Sequence, residues 1–376
     1  MYKLSENYSK KISYEIDSFN QISFNKEIGY EFALSIFSAN LEHLLPDTEQ
    51  SNHETIFQEF LFHKHLMKMD EQVINLPDFI QVKGDFESIK RNNKSVIFCG
   101  FHLGSYRSLF PFLVKNGINL NLLIGEDVFR HDACIFKERF LEGKDFYNVN
   151  STFDVINGEN KVAVIKGLRG LKEGKSMVTY LDGNTGIGGN HRQDDKMTKI
   201  NFLNQDIFVR KGIAYLSYVS QSPIIPVMMY RDKDFNNVIE FLESIVPDTS
   251  LSRDEFIYHF NQSAYDIFSK YLLKYPEQWE AWSYVHKFLD LTKVSQATSK
   301  SVEKKSVLDW NRFSISKYEN CSVIFDKYSF LIHFITNELF DLLNRLKNND
   351  IQIETFIKKI GNDSFKLLRE KGILSA

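Results

Sequence analysis

Val96-Ile-Phe-Cys-Gly-Phe101-His102-Leu-Gly-Ser-Tyr-Arg107 is the stretch on which the fold turns. The run from Val96 to Phe101 has no polar interruption and the length of a strand buried on both faces. Leu103-Gly104-Ser105 then suits a strand-to-helix turn, with Ser105 as a candidate helix cap. A histidine at the C-terminal end of such a strand, beside a helix N-terminus, stands where α/β proteins hold ligands. Its imidazole can take a proton there from a hydroxyl or an amine near neutral pH. The plainer alternative is a hydrogen-bonded histidine at a strand end.

The pattern on either side repeats that beginning. Between about 77 and 245 the strand candidates are Phe79–Val82, Val96–Phe101, Leu120–Ile124, Met177–Leu181, Ile224–Tyr230 and Val238–Leu242. Helical candidates alternate with them at Phe86–Lys90, Ser105–Lys115, Phe129–Leu141, Val162–Glu173 and Gly212–Ser220. This alternation predicts an α/β fold: a mixed, largely parallel sheet flanked by helices. Residues 1–75 read as an N-terminal helical cap, whose His43, His53, His63 and His65 read as packing or surface residues. Ser252 to Tyr275 reads as an amphipathic helix stopped by Pro276. The α/β domain is therefore expected over 76–290, a polar linker over 291–309 and a small separate domain over 310–376.

Composition narrows the class. The 376 residues are 43% hydrophobic and include 33 phenylalanines, ample for a large core. A net charge of -3 gives no general reason to expect nucleic acid as a partner. Cys99, Cys134 and Cys321 are far apart, make no metal-ligand spacing, and are odd in number, so a reduced, cytoplasmic setting is expected and no metal. No signal peptide is expected, and no apolar run approaches the ~20 residues of a transmembrane segment.

Residues from about 79 to 289 resemble the lipid A late-acyltransferase family of the lysophospholipid acyltransferase superfamily. The segments that carry the resemblance, in order, are Val82-Lys-Gly84-Asp-Phe-Glu87, Ser95 to Ser105, Gly170 to Gly186, Asn201-Phe-Leu-Asn, Arg210-Lys-Gly212-Ile-Ala, Ser222 to Arg231, and Tyr275-Pro-Glu-Gln-Trp279-Glu-Ala-Trp282. The resemblance implies transfer of an acyl group from a thioester donor, acyl carrier protein or coenzyme A, with no bound cofactor. It implies His102 as general base and Gly104, Ser105, Gly183, Asn184, Arg210 and Arg231 as candidate substrate contacts. Asp182 and Asn184 also read as simple turn formers. Gly183, Gly186, Gly188 and Gly189 would let the backbone approach an acyl group or a phosphopantetheine arm. Trp279 and Trp282 read as aromatic packing after the helix stop.

One departure matters. The family motif has a carboxylate five positions after the histidine, where this chain has Arg107. A carboxylate there orients the imidazole and stabilises its protonated form; a permanent cation does neither. Glu126, Asp127 or Asp182 can serve instead from a neighbouring strand end. Otherwise the histidine acts alone, or the fold has lost its chemistry and holds a peptide or acyl chain as a non-catalytic scaffold. Asp182 or Glu126 is the favoured orienting carboxylate, and Asp127 stands as a substrate-binding candidate, as does Arg107, whose guanidinium fork suits a phosphate or carboxylate.

Residues 310–376 resemble the winged-helix peptide-recognition domain of the pyrroloquinoline-quinone peptide-chaperone type. Phe313-Ser-Ile-Ser, Val323-Ile-Phe-Asp326, Thr336-Asn-Glu-Leu339-Phe-Asp-Leu-Leu343 and Leu367-Leu-Arg-Glu-Lys-Gly372-Ile-Leu374 carry that resemblance. It implies a leader peptide added as a strand along Leu331–Ile335, with Leu331, His333 and Ile335 on the strand and Phe365, Leu368 and Arg369 on the groove helix. The alternatives are DNA, for which the final helix has few cations, or simple packing. Together the two resemblances imply acylation of a ribosomally made precursor peptide in natural-product biosynthesis.

Overall fold

The computed structural model describes residues 2–19, 29–92, 94–183, 195–292, 308–318 and 321–374. Strand β2 (Ile97–Gly100) is buried at every position, as its uninterrupted apolar run requires. It pairs in parallel with β5 (Ser176–Tyr180) on one side and β8 (Ile224–Arg231) on the other. Beyond β5 lie β3 (Leu120–Ile124) and β4 (Phe153–Asn157), both parallel. Beyond β8 lie the antiparallel β9 (Asn237–Phe241) and then β1 (Gln81–Lys83), parallel to β9. The result is a mixed, largely parallel seven-stranded sheet in the order β1-β9-β8-β2-β5-β3-β4.

Alternate side chains of a strand point to opposite faces, so two helical layers are needed. Phe98, Val178, Ile225, Val227 and Ile239 pack on one face against Leu109 and Leu113 of α5 (Leu109–Lys115) and Phe140 of α6 (Glu126–Phe146). On the other face Met177 meets Gly167 of α7 (Ala163–Lys172), where Leu216 of α8 (Gly212–Ser220) also packs. The long α9 (Arg253–Lys274) starts at a capping box of Ser252 and Glu255 and packs on α8 and on the hairpin strand β6 (Met197–Phe202). The hairpin of β6 and β7 (Gln205–Arg210) and the edge strand β4 have no counterpart among the sequence candidates. No described helix is long and apolar enough to cross a membrane.

The chain divides into two compact units, residues 1–21 with 58–281 and residues 22–57 with 282–376. The second unit contains an antiparallel sheet of β10 (Phe313–Tyr318), β11 (Cys321–Asp326) and β12 (Leu331–Ile335), in that order. Ile315 and Ile324 face a core with Leu343, Phe356 and Leu368. These come from α10 (Asn337–Lys347) and from a helical stretch, α11 (Ile353–Glu370), broken at Gly361 with φ +78°. Val323 and Phe325 point the other way, against Phe32 and Ala39 of α2 (Tyr30–Leu44). A strand apolar on both faces needs a partner on each, and α2 supplies the second. This division departs from a single cap over 1–75: α2 groups with the C-terminal sheet, whereas α1 (Tyr2–Phe19) falls with the large one. The linker expected over 291–309 lies, but for its ends, outside the described residues. Of the early histidines, His43 and His53 are buried, and His65 is ion-paired with Glu15 at 2.8 Å. Among the described residues no three metal-ligating side chains gather.

Candidate active site

Strands β2 and β5 are neighbours, and their register pairs Gly100 with Tyr180. His102 and Asp182, each two residues further on, therefore emerge side by side at the C-terminal edge of the sheet. His102 Nδ1 lies 2.7 Å from Asp182 Oδ1, and the His102 backbone N–H donates to both carboxylate oxygens at 3.1 and 3.0 Å. The Trp279 indole N–H donates to Asp182 Oδ2 at 2.7 Å. A carboxylate only accepts, so Nδ1 must carry the proton and Nε2 is left as the acceptor. Asp182 is 3% exposed and the His102 side chain 18%. The anion is thus shielded and held by three donors, while the ring reaches solvent.

The segment after Pro276 forms the other wall. Leu103 bridges antiparallel to Trp279, the Gly104 N–H donates to the Gln278 carbonyl at 2.9 Å, and the Glu280 N–H donates to the His102 carbonyl at 2.9 Å. Gly104 has φ +53°, and a Cβ there would stand 2.8 Å from the Tyr230 Cα, so only glycine fits. At Gly183 a Cβ would come within 2.9 Å of His102 Cε1 and crowd the ring. The rings of Tyr106 and Tyr180 pack on the imidazole at 4.5 and 4.9 Å. Burial pulls the imidazole toward neutrality, but the Asp182 charge and hydrogen bond, with Glu280, outweigh burial and the Arg107 charge, so its pKa is raised above the ordinary value.

The other sequence candidates are placed as follows. Arg107 is ion-paired at 2.6 Å with Glu71, which also holds Arg139 at 3.3 Å, and its Nε donates to the Tyr106 hydroxyl at 3.1 Å. It is 35% exposed, and its guanidinium lies over the Tyr106 ring at 5.6 Å, the same ring that contacts His102. Glu126 does not join His102. It bonds Asn157 and, at 2.5 Å, Arg130, which hold its carboxyl below the usual range. Its neighbour Asp127 is exposed in the first turn of α6 and likewise makes no bond to the histidine. The reason is topological: β3, which leads into α6, is separated from β2 by β5.

Two candidates require correction as surface contacts. Ser105 caps no helix; its hydroxyl donates to Asp70 at 2.6 Å, and the residue is 3% exposed. The Arg231 side chain is fully buried in an ion pair with the same Asp70, with Tyr8 and Asn237 bonded around it. Both serve to tie α1, α3 (His53–Asp70) and the sheet edge together, because a buried charge demands a partner and further hydrogen bonds. Arg210 ends β7. Asn184, Gly186, Gly188 and Gly189 lie outside the described residues.

In the second unit, β12 pairs among the described residues with β11 alone, leaving its other side as an edge. Leu331 is 57% exposed, while His333 and Ile335 are partly buried. Phe365 is partly buried, with the Arg369 guanidinium over its ring at 5.8 Å. Leu368 is corrected: at 4% exposure it belongs to the core.

Sequence reading missed Trp279 as a polar partner, and missed Tyr106, Tyr180 and Gln278. The indole of Trp279 does pack, on Phe202 and Phe268, but its one donor is spent on Asp182. A buried tryptophan needs an acceptor, and that was the available signal.

No family model matches the chain, and no curated protein does. Among solved structures, the chain is similar to the crystal structure of the 1-acyl-sn-glycerophosphate (LPA) acyltransferase PlsC from Thermotoga maritima. The identity is 12% and the TM-score 0.31, with 66% of this chain and 98% of that chain covered.

The geometry sets the titration of His102. Its folded pKa lies above the model-peptide value of about 6.5. Asp182→Asn should lower it. Trp279→Phe removes a competing donor from the carboxylate, strengthens its interaction with the imidazolium, and should raise the histidine further. Histidine-selective NMR reads all three proteins, and a wild-type value below 6.5 would overturn the assignment.

Proposed function

We propose that this chain transfers an acyl group from a thioester, on acyl carrier protein or coenzyme A, to an amine or hydroxyl of a ribosomally made precursor peptide. The observation that carries the reading is the shielded Asp182 on His102 Nδ1, with Nε2 left as a base at the sheet edge. In the proposed reaction Nε2 takes the proton of the acceptor as its O or N attacks the thioester carbonyl. Asp182 stabilises the imidazolium so formed. The C–S bond then breaks, and the departing sulfur takes the proton back, leaving His102 neutral. The resemblance of residues 79–289 to lipid A late acyltransferases supports the reaction class. The Arg107 departure weighs less against it, because Asp182 occupies the orienting position from the next strand. The scaffold alternative keeps the same fold without turnover.

The precursor-peptide part of the proposal rests on β12. Its edge, unpaired among the described residues, offers main-chain hydrogen bonds, and Leu331 and Phe334, 57% and 72% exposed, offer side-chain anchors. The test is intact-mass analysis of the precursor peptide mixed with purified protein and thioester. The expected result is addition of one acyl mass by the wild type; no mass added would leave the scaffold alternative. Phe334→Asp, at an exposed position, should raise KM for the full-length precursor by about tenfold and leave a leaderless acceptor unchanged. An equal loss on both would remove peptide recognition from the reading. Deletion of residues 310–376 is a poorer test, since it strips the partner of Phe32 and Ala39 from α2.

A further inference from the structure

The outer face of α7 is built unlike the rest of the surface. From Lys161 to Lys172 the chain carries four cations, Lys161, Lys166, Arg169 and Lys172, and no carboxylate. All four are exposed, and none has an ion pair among the described residues. Nearby cations are treated differently: Arg130 pairs with Glu126, Arg139 with Glu71 and Lys175 with Asp154. The whole chain has a net charge of -3, so this excess is local. Apolar side chains share the face: Ile165 is 60% exposed, Val162 41% and Val164 37%.

The helix cannot turn these groups inward. Its other side is fixed by Gly167, where an added Cβ would come within 2.9 Å of Met177, and by Gly170, where one would overlap the Asn121 amide. Leu171 is buried beside them. The position is also informative. α7 follows β4, so its N-terminal end opens at the same C-terminal edge as His102. β4 is three strands from β2, which carries His102, roughly 14 Å along the sheet.

We infer that this face docks an acidic carrier protein that delivers the acyl thioester to His102. The inference rests on the acyl-transfer reading and names its donor. The helix itself spans about 14 Å, with Lys161 in the turn before it, so the cations cover the scale of a protein partner's helix rather than of one nucleotide phosphate. Exposed aliphatic side chains among unpaired cations match an interface with an apolar centre and a charged rim, the charges steering an oppositely charged partner. An anionic membrane is the competing occupant. Glu159 and Glu173 bracket the helix at its two ends, which limits the cationic face to the footprint of a small protein.

The test combines binding and turnover, using the full chain and its Lys166→Glu/Arg169→Glu variant. Titration calorimetry with an acyl carrier protein should show binding that weakens as salt rises and falls about tenfold or more in the variant, with no change in Tm. Turnover should fall by the same factor with the carrier thioester but not with an acyl-pantetheine, which has no protein to dock. Carrier binding equal in the two proteins overturns the inference. So does loss of binding to phosphatidylglycerol vesicles with carrier binding retained, which assigns the face to a membrane. Carrier binding lost in the variant while the wild type acylates nothing would leave the docking face standing and remove the acyl-transfer reading. Wild-type turnover of a coenzyme A thioester without carrier binding would do the reverse.

Discussion

His102→Ala should reduce acyl transfer by about 10²–10⁴-fold, the usual worth of a positioned general base, while the protein stays folded. The imidazole is 18% exposed and packs on the Tyr106 and Tyr180 rings, so some packing is lost with it, but it lies at the sheet edge rather than in the core. What holds the loop is the backbone: the residue 102 N–H to Asp182, its carbonyl from the Glu280 N–H, and the Gly104 N–H to Gln278. Alanine keeps all of these. The removed Nδ1 bond to a carboxylate is worth about 1.5–3 kcal/mol, offset in part because removing the ring lets water reach the vacated space. Single-turnover intact-mass kinetics with a Tm measurement reads both quantities. A variant as fast as wild type would end the assignment of His102 as base.

Asp182 is expected to behave differently, losing both rate and stability. Three donors converge on its carboxylate: the His102 N–H, His102 Nδ1–H and the Trp279 indole. Asparagine has one acceptor oxygen and one amide group, so at least one donor faces another donor. The ring is then free to move its proton to Nε2, where it blocks the base. Asp182→Asn should therefore cost on the order of 10³-fold in rate. At 3% exposure the mismatch has no water to relieve it, and about 2–3 kcal/mol of stability should go with it. Urea unfolding beside the kinetics separates the two effects. Full rate in Asp182→Asn would mean that the histidine needs no orienting group; full stability would mean that the three bonds do not form together.

The strand–helix alternation from 77 to 245 was legible because each element's period is written in its own residues. β3 and α8 have the bounds the sequence implies. β4, Phe153-Asp-Val-Ile-Asn157, was not legible, since an edge strand needs only one buried residue, Ile156, and carries little apolar signal. The β6–β7 hairpin was missed because it lies against α9 rather than in the main sheet, and in β6 the buried Met197, Ile200 and Phe202 do not keep a strict alternation.

For the site, local sequence determined that His102 ends a buried strand and that Arg107 stands where a carboxylate is expected. It did not choose between Asp182 and Glu126 as the orienting carboxylate, each near an apolar run, with Asp127 beside the latter. Only strand order separates them: β5 is next to β2, and β3 is one strand further. The same holds for Ser105 and Arg231, which read as site residues until both meet Asp70, respectively 35 and 161 positions away. It holds for α2, whose apolar face is plain in the sequence but whose partner, Val323 and Phe325, lies nearly 300 residues later. Periodicity reports which side of an element must be buried, because that depends on backbone geometry alone. Which partner buries it depends on the packing of distant segments, and no window along the chain contains that.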